Sequence, residues 1–408
     1  MNEAVFLREK FREYYEQNKV SGPSGISQRE FGVGEFGKKI TSRHLSFSSA
    51  DEFNSFLRNN APLFISHSLG YYAFPSARPM NAKELLKADL IYEFDADDLK
   101  TECKKSHDSW FCGNCGSTGK GNVSNCSKCG AGVEVDEWVC PDCLKAVKAQ
   151  VFKLMEFLEE DFGVSEGISL NYSGSKGFHI HISDENFSKL SPQARVELVD
   201  YLTAYQIDPV SLGFFLSKQK KFVCPPPGVA AGWQKRILNG VEALFERGSF
   251  EEIAVAGNVT TASAKQLLNE RSTILSKLAE GVLFQLPGKK TEGFWNSVIE
   301  YVVKLQRLDI DRQTSVDISK IIRVPDTLHG STGLVAKTIP FQEFKEFEAL
   351  NSAVVFGGKE IVVQVAKTPK FFLHGEWWGP FDGEKAGLPE FVAVYLIAKS
   401  KAHIVSGV

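Results

Sequence analysis

The run Leu90-Ile91-Tyr92-Glu93-Phe94-Asp95-Ala96-Asp97-Asp98 is the stretch on which the reading of this chain turns. Its residues alternate with the two-residue period of a strand. Leu90, Tyr92 and Phe94 therefore share one face, and Glu93, Asp95 and Asp97 the other. Carboxylates gathered at a strand end repel one another unless a cation lies among them. Hard divalent cations such as Mg²⁺ take oxygen ligands and are often shared with substrate phosphates. A carboxylate pair of this kind suits two-metal phosphoryl transfer. Acidic strand ends also occur as ordinary solvated surface, so the pair does not decide by itself.

Two further stretches bear on it. Gly167 to Tyr172 and Phe178 to Ile182 read as strands joined by the tight turn Ser173-Gly174-Ser175-Lys176-Gly177. Such a turn offers backbone N–H groups, a hydroxyl and an ammonium to an anion. His179, just beyond, adds a possible donor to a phosphate. A plain hairpin with a polar tip is the competing reading. Near residue 320, carboxylates (Asp309, Asp311, Asp317), cations (Lys320, Arg323) and an imidazole (His329) occur within one short stretch.

Taken together, the three stretches resemble the catalytic (small) subunit of the archaeal and eukaryotic DNA primase, archaeal branch, along nearly the whole chain. Arg29-Glu30-Phe31-Gly32 and Arg43-His44-Leu45-Ser46-Phe47 are similar to the N-terminal motifs of that family. Ala77-Arg78-Pro79-Met80 and Ala88-Asp89-Leu90-Ile91 precede the acidic pair, Ser173 to His179 matches Ser-Gly-x-x-Gly-x-His, and Arg323 with His329 matches the basic third motif. Leu388 to Leu396 also looks like the archaeal branch. In that family the third catalytic aspartate lies twelve residues before the basic residue, which selects Asp311 over Asp309.

The resemblance implies an α/β (α+β) primase core with a mixed sheet. It implies Asp95, Asp97 and Asp311 as catalytic ligands of Mg²⁺ or Mn²⁺. Ser173, Lys176, Gly177, His179, Arg323 and His329 would hold the triphosphate, and Arg43 and Arg78 would lie near the site. The implied partners are a large primase subunit in a heterodimer, a single-stranded DNA template, an RNA primer and nucleoside triphosphates. The expected activity is synthesis of short RNA or DNA primers without a pre-existing primer during replication. A related polymerase of repair or translesion synthesis is one alternative; a non-catalytic zinc-bearing scaffold of the replication machinery is the other.

Composition is that of an ordinary globular chain, 43% hydrophobic and 24% charged, with a net charge of −3. That charge is unlike a tight duplex binder but does not decide between a polymerase subunit and another enzyme. The longest apolar run, Phe391 to Ala398, is too short to span a bilayer. The N-terminus begins a charged helical stretch without the apolar core of a signal peptide, which leads to the expectation of an intracellular, cytoplasmic protein without a membrane partner.

Seven of the eight cysteines lie between residues 103 and 143. Cys103, His107, Cys112, Cys115, Cys126, Cys129, Cys140 and Cys143 supply eight ligands, enough for two tetrahedral Zn²⁺ sites with no open position for catalysis. A redox role for one pair is the alternative. The resemblance assigns Cys103, His107, Cys140 and Cys143 to one ion, leaving Cys112, Cys115, Cys126 and Cys129 for an inserted ribbon with the second. A sequential division, first four and last four, stays open.

The expected organisation is a discontinuous catalytic core of residues 1–102, 144–200 and 301–408, a zinc-binding module at 103–143, and a mostly helical inserted subdomain at 201–300. Residues 3 to 17 read as a helix. Val147, Val151, Leu154 and Leu158 mark one apolar helical face, and residues 390 to 400 read as a helix started by Pro389. His181 is read as a partly exposed strand histidine. Lys218, Lys220 and Lys221, with Phe214, Phe215, Phe222 and Trp233, are read as a solvated helix end beside a small core, with a stacking and phosphate-tracking surface as the alternative. Trp377 and Trp378 are read as packing residues and Cys224 as a lone thiol.

Overall fold

A computed structural model describes residues 2–286, 291–310 and 316–405. The chain divides into two compact units, one of Met1–Val151, Glu166–Val196 and Ile310–Val408, the other of Phe152–Ser165 and Glu197–Asp309.

The first unit is built on two four-stranded sheets. One has the order Thr338–Ile339, Ile168–Tyr172, Gly177–Ile182, Leu90–Asp95. Its register sets Phe94 opposite Phe178, Tyr92 opposite Ile180 and Leu90 opposite Ile182. All six side chains are buried, each contributing roughly 1.5–3 kcal/mol on removal from water. The alternate positions pair Asp95 with Gly177 and Glu93 with His179. A one-residue slip of Leu90–Asp95 would bring its carboxylates into the core and expel Leu90, Tyr92 and Phe94, so burial on one face dictates the polar arrangement on the other.

The second sheet has the order Ile321–Arg323, Phe64–Ser68, Phe31–Glu35, Lys38–Leu45. A third, three-stranded sheet carries Glu360–Val365 at its centre, and the apolar C-terminal helix Glu390–Ala398 is buried along nearly its whole length. Each strand pairing among the described residues is antiparallel. The mixed sheet implied by the resemblance is therefore not seen, and the fold is α+β. The N-terminal helix spans Glu3–Gln17, as the sequence pattern requires, with the Asn2 side chain capping its first turn.

The helix Pro141–Phe162 buries Val147, Val151, Leu154 and Leu158, the face marked by their spacing. In the second unit the helices Trp233–Arg247, Phe250–Ala256, Thr261–Asn269, Arg271–Ala279 and Thr291–Gln306 enclose Ile237, Val241, Phe245, Trp295 and Ile299. Arg236 is buried there and compensated by Asp161, at 2.8 and 3.1 Å, and by Glu156, at 2.9 Å. Lys218, Lys220 and Lys221 do not lie on a helix end. They occupy the exposed tip of a short hairpin formed by Phe215–Leu216 and Phe222–Val223. Phe214, Phe222 and Trp233 are buried, whereas Phe215 is 42% exposed. No helix among the described residues is long and apolar enough to cross a membrane.

Candidate active site and metal centres

A cleft of about 430 Å³ opens between the two four-stranded sheets, lined by residues of all three stretches singled out in the sequence. Asp95 is the last residue of its strand. Asp97 is not on that strand; the single 3₁₀ turn Ala96–Asp98 carries it into the same cleft. Asp95 Oδ1 is buried and has no hydrogen-bond partner. Burial, with repulsion from Asp97 and Glu93, pushes the Asp95 carboxyl up to about 7. An orphaned, desolvated carboxylate oxygen beside a second carboxylate is the donor set that a hard divalent cation fits.

The Ser173–Gly177 turn departs from its expected role in one respect. The N–H groups of Ser175, Lys176 and Gly177 converge on Ser173 Oγ, at 3.3, 3.2 and 3.1 Å. They are already used inside the turn, so what faces the cleft is the Lys176 ammonium rather than a cradle of free N–H groups. Ser173 organises the turn and lines the cleft wall. Gly177 is required by close approach: a Cβ there would lie 1.8 Å from Phe94 O and 2.5 Å from Asp95 Oδ1. Gly174, at φ +79°, approaches the third stretch closely enough that a Cβ would lie 2.8 Å from His329 Cβ, and its carbonyl accepts from Thr332 Oγ1 at 2.5 Å. This contact joins two motifs that are 158 residues apart in sequence.

Arg323 ends the strand Ile321–Arg323, and His329 lies on the loop that follows; both line the cleft. Arg323 donates to Leu328 O at 3.2 Å and is lowered by burial to about 10, which leaves it cationic at neutral pH. His329 Nδ1 accepts the Ser331 N–H at 3.2 Å. Burial holds its pKa well below the usual imidazole range, so the ring is neutral with its proton on Nε2, a donor. Burial likewise lowers His179 to about 4; its Nε2 lies 3.5 Å from Glu93 Oε1. Asp311 lies outside the described residues. Asp309 is about half exposed, 3.8 Å from Arg307.

The cysteines form two separate centres. Cys103, His107, Cys140 and Cys143 present ligand atoms all within 4.8 Å of one another, and so do Cys112, Cys115, Cys126 and Cys129. The grouping is nested rather than sequential. Sulfur separations of 3.4 Å (Cys103–Cys143), 3.7 Å (Cys140–Cys143), 3.5 Å (Cys112–Cys129) and 3.6 Å (Cys115–Cys126) exclude disulfides. They approach the edge of about 3.8 Å that four sulfurs make around Zn²⁺ at ~2.3 Å. The far centre is made of two matching knuckles, in which the Gly116 and Gly130 N–H groups return to Cys112 O and Cys126 O at 2.9 Å. At the near centre, Asp108 accepts from His107 Nδ1 at 2.8 Å, which leaves Nε2 free to ligate.

Comparison with known proteins gives the family of the chain. The family model "DNA primase small subunit" matches residues 134–340, a span that includes the Lys176 turn and the Arg323–His329 loop. The DNA primase small subunit of Methanothrix thermoacetophila is 30% identical, with 98% of each chain covered. That of Cenarchaeum symbiosum is 30% identical over 98% of each. That of Nitrosopumilus maritimus is 29% identical over 99% of this chain and 100% of its own. The chain belongs to the DNA primase small subunit family. Its role is a primase role in DNA replication, and it is an enzyme of the nucleotidyltransferase kind.

Arg43 of this primase subunit pairs with the buried Glu30 at 3.0 Å, and Arg78 donates to Arg43 O at 3.3 Å; Lys39 and Ile40, on the same strand as Arg43, line the cleft. His181 is buried rather than partly exposed, with Nε2 2.9 Å from Asn171 Oδ1. Trp377 is 51% exposed and touches Phe372 edge-on, while Trp378 packs on Phe391. Two cleft ion pairs had no sequence signal: Glu93 with Lys320, and Lys176 with Glu137.

The raised Asp95 value sets a pH test. Its folded value exceeds the ordinary carboxylate value of about 4. Between about pH 4 and 7 the metal-free folded state thus binds more protons than the unfolded chain, and stability falls as pH rises. A divalent ion binds the ionised form. The melting-temperature gain from added Mg²⁺ should therefore be larger at pH 8 than at pH 5.5. An equal gain at both would remove Asp95 from the ion site.

The nested grouping predicts two bound zinc ions in the wild type. Replacing residues 112–129 with a short linker should leave one ion, held by Cys103, His107, Cys140 and Cys143. Elemental analysis reads this directly, and loss of both ions in the shortened chain would restore the sequential pairing.

Proposed function

We propose that this chain is the catalytic subunit that joins nucleoside triphosphates on a single-stranded DNA template, beginning without a primer. The observation that carries the reading is the convergence in one cleft of Asp95, Asp97, Lys176 and the buried His179, Arg323 and His329. Asp95 and Asp97, with Asp311 as a third ligand, would hold Mg²⁺ or Mn²⁺. Such ions, once bound, activate a 3′-hydroxyl and neutralise a triphosphate. Lys176, Arg323 and the Nε2–H of His329 would bind the triphosphate oxygens and orient the α-phosphate, while Ser173 and Gly177 fix the turn that bears Lys176. The 3′-oxygen forms its bond to the α-phosphorus as the bond to pyrophosphate breaks, and positioning and charge stabilisation are the contribution of the protein.

Zn²⁺ at the two cysteine-rich centres would brace the 103–143 module. A large primase subunit is the proposed partner, with template DNA, RNA primer and nucleoside triphosphates as the substrates and products handled. Incubation with single-stranded DNA and labelled nucleotides, with and without the large subunit, tests the proposal. Dinucleotides formed without a primer are expected. Extension of a supplied primer with no dinucleotide synthesis would instead indicate a repair or translesion polymerase.

His329→Ala and Arg323→Ala should each raise the nucleotide KM about tenfold or more. Hydrogen bonds to a charged phosphate are worth roughly 1.5–3 kcal/mol. Steady-state kinetics decide the point: an unchanged KM with reduced kcat would place these residues in transition-state stabilisation.

A further inference from the structure

The Lys176 ammonium is shared by two carboxylates. One is Asp97, at 2.9 Å; the other is Glu137, which belongs to the cysteine-rich segment and not to the motifs around the cleft. Glu137 is held through both its side chain and its backbone. Its Oε1 accepts from Asn122 Nδ2 at 3.0 Å. Its carbonyl accepts from Lys399 Nζ at 3.2 Å. The next residue, Trp138, is buried and donates its backbone N–H to Asp108 Oδ1 at 3.0 Å. That same Asp108 oxygen takes the Nδ1–H of His107, a residue of the near cysteine–histidine centre. Cys140 of that centre lies three residues beyond Glu137.

We infer that Glu137 is a positioning residue for Lys176: it shares the ammonium with Asp97 and aims the remaining N–H into the cleft. An ammonium has three donors. Two are directed to Asp97 and Glu137, and the third is available to a phosphate oxygen. Without Glu137 the ammonium is held by Asp97 alone, and that ion pair, no longer shared, competes more strongly for the carboxylate that the divalent ion needs. A carboxylate fixed by the module outside the core sheets thereby divides the charge of a cleft cation that Asp97 would otherwise take alone. The inference rests on the reading of Lys176 as a triphosphate ligand.

Binding of a non-hydrolysable ATP analogue in Mg²⁺, followed by calorimetry on the full-length protein, tests it without turnover. Glu137→Gln should weaken binding about three- to tenfold, the scale of one ordinary hydrogen bond, and leave two zinc ions per chain. Half-saturating Mg²⁺ should rise with it. Glu137→Asp should restore part of the loss. Combined with Lys176→Ala, Glu137→Gln should add nothing. Unchanged or tighter binding in Glu137→Gln overturns the inference, as does an equal loss on the Lys176→Ala background. If Lys176→Ala alone binds the analogue like the wild type, the triphosphate role of Lys176 fails and the inference falls with it.

Discussion

Asp95→Ala and Asp97→Ala should each reduce nucleotide transfer by about 10³-fold or more, equivalent to about 4 kcal/mol of transition-state stabilisation. The two variants should nevertheless fold. Asp95 Oδ1 has no protein partner, and its ionised form is disfavoured by burial and by Asp97 and Glu93. Removing this carboxylate therefore takes away no native contact at that oxygen and relieves repulsion. Metal-free Asp95→Ala should be at least as stable as the wild type at pH 8. Asp97→Ala loses only the half-screened pairing with Lys176, worth little at a solvent-accessible site. A group retained at a cost to stability is expected where charge is needed for binding or chemistry. Extension assays on single-stranded DNA, paired with thermal melts, separate the two effects. A folded Asp95→Ala protein with wild-type transfer would falsify the metal-site assignment.

Asp311→Asn should likewise cost on the order of 10³-fold, whereas Asp309→Asn should stay within about threefold of the wild type, as surface substitutions do. The reasoning combines the twelve-residue offset from Arg323 with the setting of Asp309. Asp309 is about half exposed and near Arg307 at 3.8 Å. Parallel measurement of kcat and of the Mg²⁺ concentration at half-maximal rate compares the two variants. A reversed order would mean that the third motif is displaced by two residues and that Asp309 is the ligand.

Features governed by local periodicity were legible in the chain itself. Alternation in Leu90–Asp95 separates the buried face from the carboxylates. The i, i+4, i+7, i+11 spacing of Val147, Val151, Leu154 and Leu158 marks a helical face that is indeed buried. Each rests on a repeat distance that the backbone imposes within one element. The lysine hairpin at 217–221 was misread because a strand of two residues is too short to display a period.

Side-chain chemistry and count determined, from sequence alone, that eight cysteine and histidine ligands suffice for two ions and that carboxylates, cations and imidazoles recur in three motifs. Only the tertiary structure decided who meets whom. Cys103 and Cys143 stand together across 40 residues, Lys176 reaches Glu137 across 39, and Glu93 takes Lys320 across 227. It also decided that Ser173 Oγ collects the N–H groups of its own turn. Such partnerships follow from sheet register and from the burial of the opposite, apolar face. Those are properties of whole strands packed together, and they leave no repeat along the chain.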